Sequence, residues 1–407
     1  MSQPLLPQTG TSGRRPLRLS PGWLVVPALV FILAVFIWPV GKFLTLAVDN
    51  SDFPSTIPRT AAVADLIGPD GIGTETAFAA LVQDLAEAQE TRRDALLAQS
   101  LNQRLVGTRI LVLKTSKDAA AGTFSPPYRE SVLSLHPGWA KPEIWKAIAD
   151  NRLSWTDYHI LASLDLKRQA DGSIGKAPAE EAIFLGVLVR TLVISTVVTL
   201  LCAALAIPLA QAIVSAPPTL SRILFALVLF PLWSSLLVRT IIWIIVLQKT
   251  GPVNAAIVFF GITDEPPTLI YTRLSLYLAM VQVLLPLMVL SVISVMRRVS
   301  PTYMKAALSL GAPWLTAWRT VQLPLIMPGI LSGGAIVFVF ALGYYITPAL
   351  VGGPRDQMIS SMIAFYTNKT LNWGLAAALS LQLLVVLVII AALFWTIQSL
   401  SRRRAAT

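Results

Sequence analysis

Two arginines, Arg190 and Arg239, stand inside long apolar runs, and no aspartate or glutamate shares a run with either. A guanidinium is permanently charged and carries five N–H donors. In hydrocarbon its chemistry is recognition of an anion or a carbonyl, because leaving it unpaired there costs several kcal/mol. Two readings stay open for each: a polar point on a path through a membrane, or a tie to backbone carbonyls and headgroups through a snorkelling side chain. The missing carboxylates count against a proton- or sodium-driven carrier, which places an acid near the midplane. Trp233, Ser234, Arg239, Tyr344 and Tyr345 are the candidates for such a path, with Trp243 as a further aromatic face for a cation. Their plainer reading is an interfacial belt or helix packing.

Other reactive residue types offer little. His136 and His159 have no carboxylate or cysteine at ligand spacing and read as surface or core residues rather than metal ligands. The single Cys202 lies in an apolar run, where a small buried hydrophobe is expected, and one thiol excludes an internal disulfide or a cysteine-based metal site. The phosphate-binding pattern GxxxxGK[ST] is absent, so no ATPase site is expected in this chain. No catalytic, cofactor-binding or metal-binding residue is assigned.

The elements that position these residues follow from composition. The chain has 407 residues, 55% hydrophobic and 13% charged, with mean hydropathy +0.68, too few polar groups to cover a water-soluble globule of this size. Six segments are long enough to cross a bilayer: Gly22 to Val48, Ala182 to Val214, Arg222 to Leu247, Leu274 to Met296, Leu323 to Thr347 and Gly374 to Leu400. The formal charge of +11 resembles that of a nucleic-acid binder until it is divided by region. From Asp49 to Glu181 there are 14 basic against 18 acidic residues, and the remainder carries 18 against 3, so the excess belongs to the membrane part and its flanks. With both termini in the cytoplasm, Arg14, Arg15, Arg18, Arg222, Arg297, Arg298, Lys305, Arg319 and Arg402 to Arg404 all fall inside, as the positive-inside rule requires. A cleaved signal peptide is disfavoured, since the first apolar run is too long and no small-x-small cleavage site follows.

Residues 49–181 are of ordinary soluble composition and far exceed a connecting loop, so a separate α/β domain facing the periplasm is expected there. Phe78, Leu81, Val82 and Leu85 follow a helical period that extends toward Leu97, Leu101 and Leu105. Ile110 to Leu113 reads as a strand, and Pro142 to Asp150 as a helix opened by proline.

The loop 297–322 connects the fourth and fifth segments. Ser300-Pro301 supplies a capping hydroxyl and a first-turn proline, and Tyr303 to Leu310 favours helix throughout. Gly311 suits a C′ position and Pro313 blocks continuation. Ala306 and Ala307 leave a smooth face flanked by Leu308, Leu310 and Trp314, the make-up of a helix laid in a partner's groove. A helix that merely rests on headgroups is the alternative.

Here the residues match a family pattern. Lys305-Ala306-Ala307, three residues, Gly311, nine residues and Val321-Gln322-Leu323-Pro324 resembles the EAA loop of binding-protein-dependent ABC importer permeases. Pro231-Leu232-Trp233-Ser234-Ser235-Leu236-Leu237-Val238-Arg239-Thr240 and Gly343-Tyr344-Tyr345-Ile346-Thr347-Pro348-Ala349-Leu350-Val351-Gly352-Gly353-Pro354 are similar to stretches of the spermidine/putrescine-type permeases. The resemblance covers the first apolar segment and Ala182 to the C-terminus, and leaves the 49–181 insert outside. It implies a type I importer, MetI-like core: an all-α polytopic membrane protein of six transmembrane helices, in the bacterial inner membrane. It implies that Lys305, Ala306, Ala307, Leu310, Gly311, Leu323 and Pro324 couple the permease to a cytoplasmic ATPase dimer that uses ATP and Mg. The further partners implied are a second, different permease chain, a periplasmic solute-binding protein and membrane lipids, but not nucleic acid. Lys305 departs from the pattern, which has an acid there, and implies a partner altered to suit a lysine. The cargo implied is a small organic solute of polyamine type, and the insert is expected to touch the binding protein or shield the outer mouth. The rival reading is a membrane receptor whose insert is a periplasmic ligand-binding sensor.

Overall fold

The computed structural model describes residues 25–63, 65–169 and 172–406, and the side chains of these up to 396. The expected tails 1–21 and 401–407 fall outside the described side chains, and with them the arginines of both ends. The chain divides into two compact units, Met1–Thr45 and Leu46–Thr407.

In the first unit a helix spans Val26–Thr45, long and apolar enough to cross a membrane. None of its described residues is buried within the unit. Its turn Leu33–Ile37 is widened into a π-helix just ahead of Pro39. A proline ring crowds the carbonyl four residues back, and the wider turn relieves that contact.

In the second unit five further helices meet the same criterion: Phe184–Ser215, Leu236–Phe259, Arg273–Met296, Trp314–Gly343 and Trp373–Thr396. The chain is therefore predominantly helical with six candidate membrane spans, as its sequence predicts. The second, fourth and fifth spans build the central core. From the second span Ile194, Val198, Cys202, Ala206 and Ala210 recur every four residues and are buried against Leu276, Met280, Leu284 and Met288 of the fourth and Ile326 and Val337 of the fifth. The fourth and fifth spans approach closely because the fifth offers glycine at the contact. A methyl group on Gly329 would stand 3.0 Å from Val295, and one on Gly333 would stand 2.8 Å from the Met288 sulfur. Small residues are the usual means of close helix approach in lipid, where dispersion rather than the hydrophobic effect drives association.

The third span differs from the continuous Arg222 to Leu247 helix expected. Helix Pro218–Trp233 stops, Ser234 and Ser235 are extended, and a second helix, Leu236–Leu247, begins. Pro231 removes one ladder donor, and the Ser234 hydroxyl donates to the Pro231 carbonyl at 2.9 Å, replacing the bond a continuing helix would make. The continuous apolar stretch of membrane length is instead Leu236–Phe259, which crosses a turn at residues 248–251. The fifth span also starts earlier than expected, at Trp314 rather than Leu323, and a π-helical turn at Trp318–Gln322 absorbs Pro324 as the one before Pro39 does.

The insert is helical rather than α/β. Its helices include Asp52–Thr56, Pro58–Ala62, Glu75–Glu90, Asp94–Arg104, Thr108–Ala120, Tyr128–Leu135, Pro142–Asp150 and Tyr158–Ser163. The only paired strands among the described residues are a small antiparallel hairpin, Leu166–Arg168 with Ile174–Lys176. Phe53, Phe78, Leu81, Leu85, Leu101, Val112, Trp139, Trp145 and Ile148 close a core of their own. The expected strand Ile110 to Leu113 lies inside helix Thr108–Ala120. There Val112, Thr115, Ser116 and Ala119 are buried at helical period, Ile110 is exposed, and the Asn102 side-chain oxygen Oδ1 caps the helix start by accepting from the Gly107 and Arg109 amides. The long helix beginning near Phe78 ends at Glu90, turns through Arg92 in the left-handed region (φ 58°) and restarts at Asp94. Helix Pro142–Asp150 has the bounds the sequence predicts.

Two polar contacts and one packing contact join the insert to the ends of the spans. The Asp165 carboxylate accepts from the Phe184 and Leu185 amides at 2.8 and 2.9 Å, capping the second span. The Gln99 amide donates to the Thr370 and Leu371 carbonyls at 3.1 and 3.2 Å, just before the sixth. His159 is buried with its ring against Gly374. Burial, with Arg104 adding to it, pushes the His159 pKa down to about 4, so the ring is neutral at ordinary pH. The other histidine, His136, is held separately, its Nε2 2.7 Å from the Asp118 carboxylate.

Candidate coupling loop and membrane path

The loop 297–322 carries a short helix, Pro301–Ser309, capped by the Ser300 hydroxyl, which accepts from the Thr302 amide at 3.3 Å. Gly311 closes it in the left-handed region at φ 87°. The Gly311 amide donates to Leu308 and the Ala312 amide to Ala307, satisfying the last carbonyls. A side chain at 311 would be strained there whatever the space around it. Pro313 is extended, and the helix that becomes the fifth span begins at Trp314.

The residues predicted for coupling divide into two groups. Lys305, Ala306 and Leu310 are exposed, Leu310 at 88%, and Ala307 is half-buried; Tyr303, Trp314 and Leu315 add large exposed apolar side chains beside them. Lys305 makes no ion pair with any described residue. Leu323 packs on the central core, and Gln322 one residue earlier donates to Gln211 of the second span at 3.0 Å. Pro324 follows the widened turn. The helix is thus an apolar knob on an exposed stalk, and the stalk is continuous with a span packed in the core.

The path candidates separate more sharply. Arg239, on helix Leu236–Leu247, and Tyr344, just before helix Ile346–Val351, lie in the region where these two helices pack. Thr240 and Thr347 meet there as well, both buried, with hydroxyl oxygens 3.3 Å apart. Nearby, the Trp243 indole donates to Gln282 of the fourth span at 2.7 Å. Trp233, by contrast, is 82% exposed, and Ser234 serves the break between helices. Tyr345 turns the other way, into an open cleft of about 360 Å³ lined also by Ser360, Thr367 and Asn368. Arg190 donates to the Gln357 carbonyl at 3.4 Å, and its neighbour Thr191 accepts from the Ile359 amide, so the structure gives this arginine a tie between segments.

Thr240, Thr347 and Gln282 were not marked by the sequence. Single polar residues in apolar runs carry no spacing signal, although Thr240 and Thr347 sit beside Arg239 and three residues after Tyr344, where attention to neighbours finds them.

No family model matches the chain. Over 224 residues it is 27% identical to the spermidine/putrescine transport system permease protein PotB of Escherichia coli (strain K12), covering 55% of this chain and 82% of that protein. Over about half of its length the chain has homologues among ABC importer permeases of the spermidine/putrescine type. Two other relatives are the inner membrane ABC transporter permease protein YdcU of the same strain (29% identity, 50% of this chain and 68% of that one) and the molybdenum transport system permease protein ModB of Mycobacterium bovis (29%, 47% and 71%). Among solved structures, a bacterial ABC transporter involved in import of the acidic polysaccharide alginate matches 54% of this chain and 79% of that one at 18% identity and a TM-score of 0.43. The importer-permease homology and six apolar helices describe a multi-pass membrane protein of bacterial inner-membrane type.

Proposed function

We propose that this chain is the membrane-spanning permease subunit of an ABC importer and moves a small organic solute inward by alternating access driven by a separate ATPase. The observation that carries the reading is the loop helix Pro301–Ser309: apolar, exposed, closed by a left-handed glycine and continuous through Trp314 with a span of the central core. A membrane helix bundle has no means of hydrolysing ATP. A knob seated in an ATPase groove gives it a rigid input, because the stalk transmits a push to the packed second, fourth and fifth spans.

In this reading the loop and both termini face the cytoplasm, and the insert, residues 49–181, faces the periplasm. There it stands over the span ends through Asp165, Gln99 and His159, where a solute-binding protein would dock. A second permease chain completes the pathway. The relatives named for spermidine and putrescine support a polyamine-like cargo. Ammonium groups of such a cargo would meet aromatic faces, since no described span of this chain contains a carboxylate.

Purification of the tagged full-length chain from its native membrane in mild detergent tests the reading. Recovery with an ATPase and a second permease chain is the expected result. Recovery alone, or with a signalling kinase in their place, favours the receptor reading instead.

A further inference from the structure

Among the polar groups buried in the membrane part, one cluster of donors has no acceptor. The Nε and NH1 atoms of Arg239 are shielded from solvent and make no hydrogen bond, and the Tyr344 hydroxyl is shielded too, with Thr347 as its neighbouring polar group among the described residues and no carboxylate. Other buried polar groups around them are matched: Thr240 donates to Leu236 and meets Thr347, and Trp243 meets Gln282. Asp356, a buried acid outside the spans, is taken by Arg273 at 2.7 Å. None of the six spans contains an aspartate or glutamate. The chain therefore brings a charged fork and a phenol together and supplies nothing for them to hold.

Shielded donors without acceptors are costly, most of all when the donor is charged. Guanidinium N–H groups beside a phenol O–H match the lone pairs of a carboxylate or a similar oxyanion, the group arginine binds with two parallel hydrogen bonds. A polyamine ammonium fits badly here, since it would add a cation beside a cation and bring no acceptor.

We infer that Arg239 and Tyr344 form an oxyanion-binding site completed from outside this chain by a carboxylate. The carboxylate comes either from the transported solute or from the second permease subunit. The inference uses the importer reading only to name those two sources.

The test uses the full-length chain with its co-purifying partners in lipid nanodiscs. Sodium glutarate is titrated against sodium chloride at equal ionic strength, and thermal unfolding is followed. If the solute brings the carboxylate, glutarate stabilises the wild type saturably and Arg239→Met weakens its apparent affinity about tenfold or more. If the partner subunit brings it, glutarate has no specific effect, and Arg239→Met lowers recovery of the second permease chain by a similar factor. Tyr344→Phe keeps the ring and removes only the hydroxyl. It shifts the same readout by a smaller factor, and decides the matter should Arg239→Met not be recovered. Absence of any glutarate effect in the wild type, together with unchanged recovery of the second chain in the variants, overturns the inference. A wild-type chain that purifies without any permease or ATPase partner would instead defeat the importer reading, and the glutarate titration would still report on the site.

Discussion

The insert and the permease core solve opposite problems with the same residue types. In the insert apolar side chains close inward on Trp139 and Trp145, and most buried polar groups are matched, the Asn151 amide oxygen and His159 Nδ1 being exceptions. Asp84, fully enclosed, accepts from the amide and hydroxyl of Thr60 at 2.7 and 2.8 Å and from Arg59, while the Trp139 and Trp145 indoles donate to Thr115 and to the Trp139 carbonyl. In the core large apolar residues such as Trp233, Phe230 and Leu227 face outward, and unmatched groups, among them Arg239, Tyr344 and Gln382, lie within. A protein surface that is apolar outside and unsatisfied inside is finished by something other than water: lipid on the outside, further chains or cargo within. The insert closes a core of its own; on the importer reading, the membrane part is completed by lipid and further chains.

That contrast can be broken experimentally, beginning where the effect is largest. Gly311→Asp puts a side chain on a left-handed residue at the end of the loop helix. It should abolish uptake while leaving membrane insertion and the insert's folding intact; wild-type transport by this variant, read as solute accumulation in cells, would remove the loop from the mechanism. Trp145→Ala empties the centre of the insert and should destabilise that region by about 3–5 kcal/mol, read as hydrogen-exchange protection of helices Glu75–Glu90 and Pro142–Asp150, with little change in the spans. Equal loss of protection in both regions would show that they fold as one.

The joint between them should be sensitive to pH. His159 is folded with a pKa of about 4 against an ordinary 6.5, so on acidification the unfolded chain takes up the proton first. Its contribution is fully present above pH 6.5 and is lost as pH falls toward 4, by up to about 3 kcal/mol. Thermal scans between pH 4 and 7 should show this slope, and His159→Gln should flatten it; the same slope in both proteins would assign it elsewhere. The smallest effect is expected at Gly333→Ala, where the added methyl group crowds Met288 and should cost about 1–3 kcal/mol in the core. An unchanged denaturation midpoint would mean that the fourth and fifth spans separate easily.

The sequence made some of this legible and not the rest, for physical reasons. Apolar length gave the number of candidate spans, though not the bounds of the third and fifth, because backbone in hydrocarbon has few options other than helix. The loop helix was legible from Ser300, Pro301 and Gly311, whose preferences are local. Ile110 to Leu113 misled because a short run of β-branched and apolar residues is compatible with either period, and it was the tertiary burial of Val112, Thr115 and Ala119 that selected helix. The break at Ser234–Ser235 was hidden by the unbroken hydropathy of its flanks, although Pro231 marked the place. At the candidate path, composition nominated Arg239 and Tyr344, but only the fold brings them to one region and sends Tyr345 and Trp233 elsewhere.

The most direct measurement on the account as a whole uses the chain's own chemistry. Cys202 is its single cysteine and is fully buried, so Leu310→Cys, at the 88% exposed tip of the loop helix, introduces one accessible thiol. A short bifunctional thiol reagent applied to inside-out membrane vesicles should join position 310 to an ATPase polypeptide, and ATP should change the yield. Labelling of that thiol only from the opposite side, or a cross-link that never includes an ATPase, would contradict the coupling account.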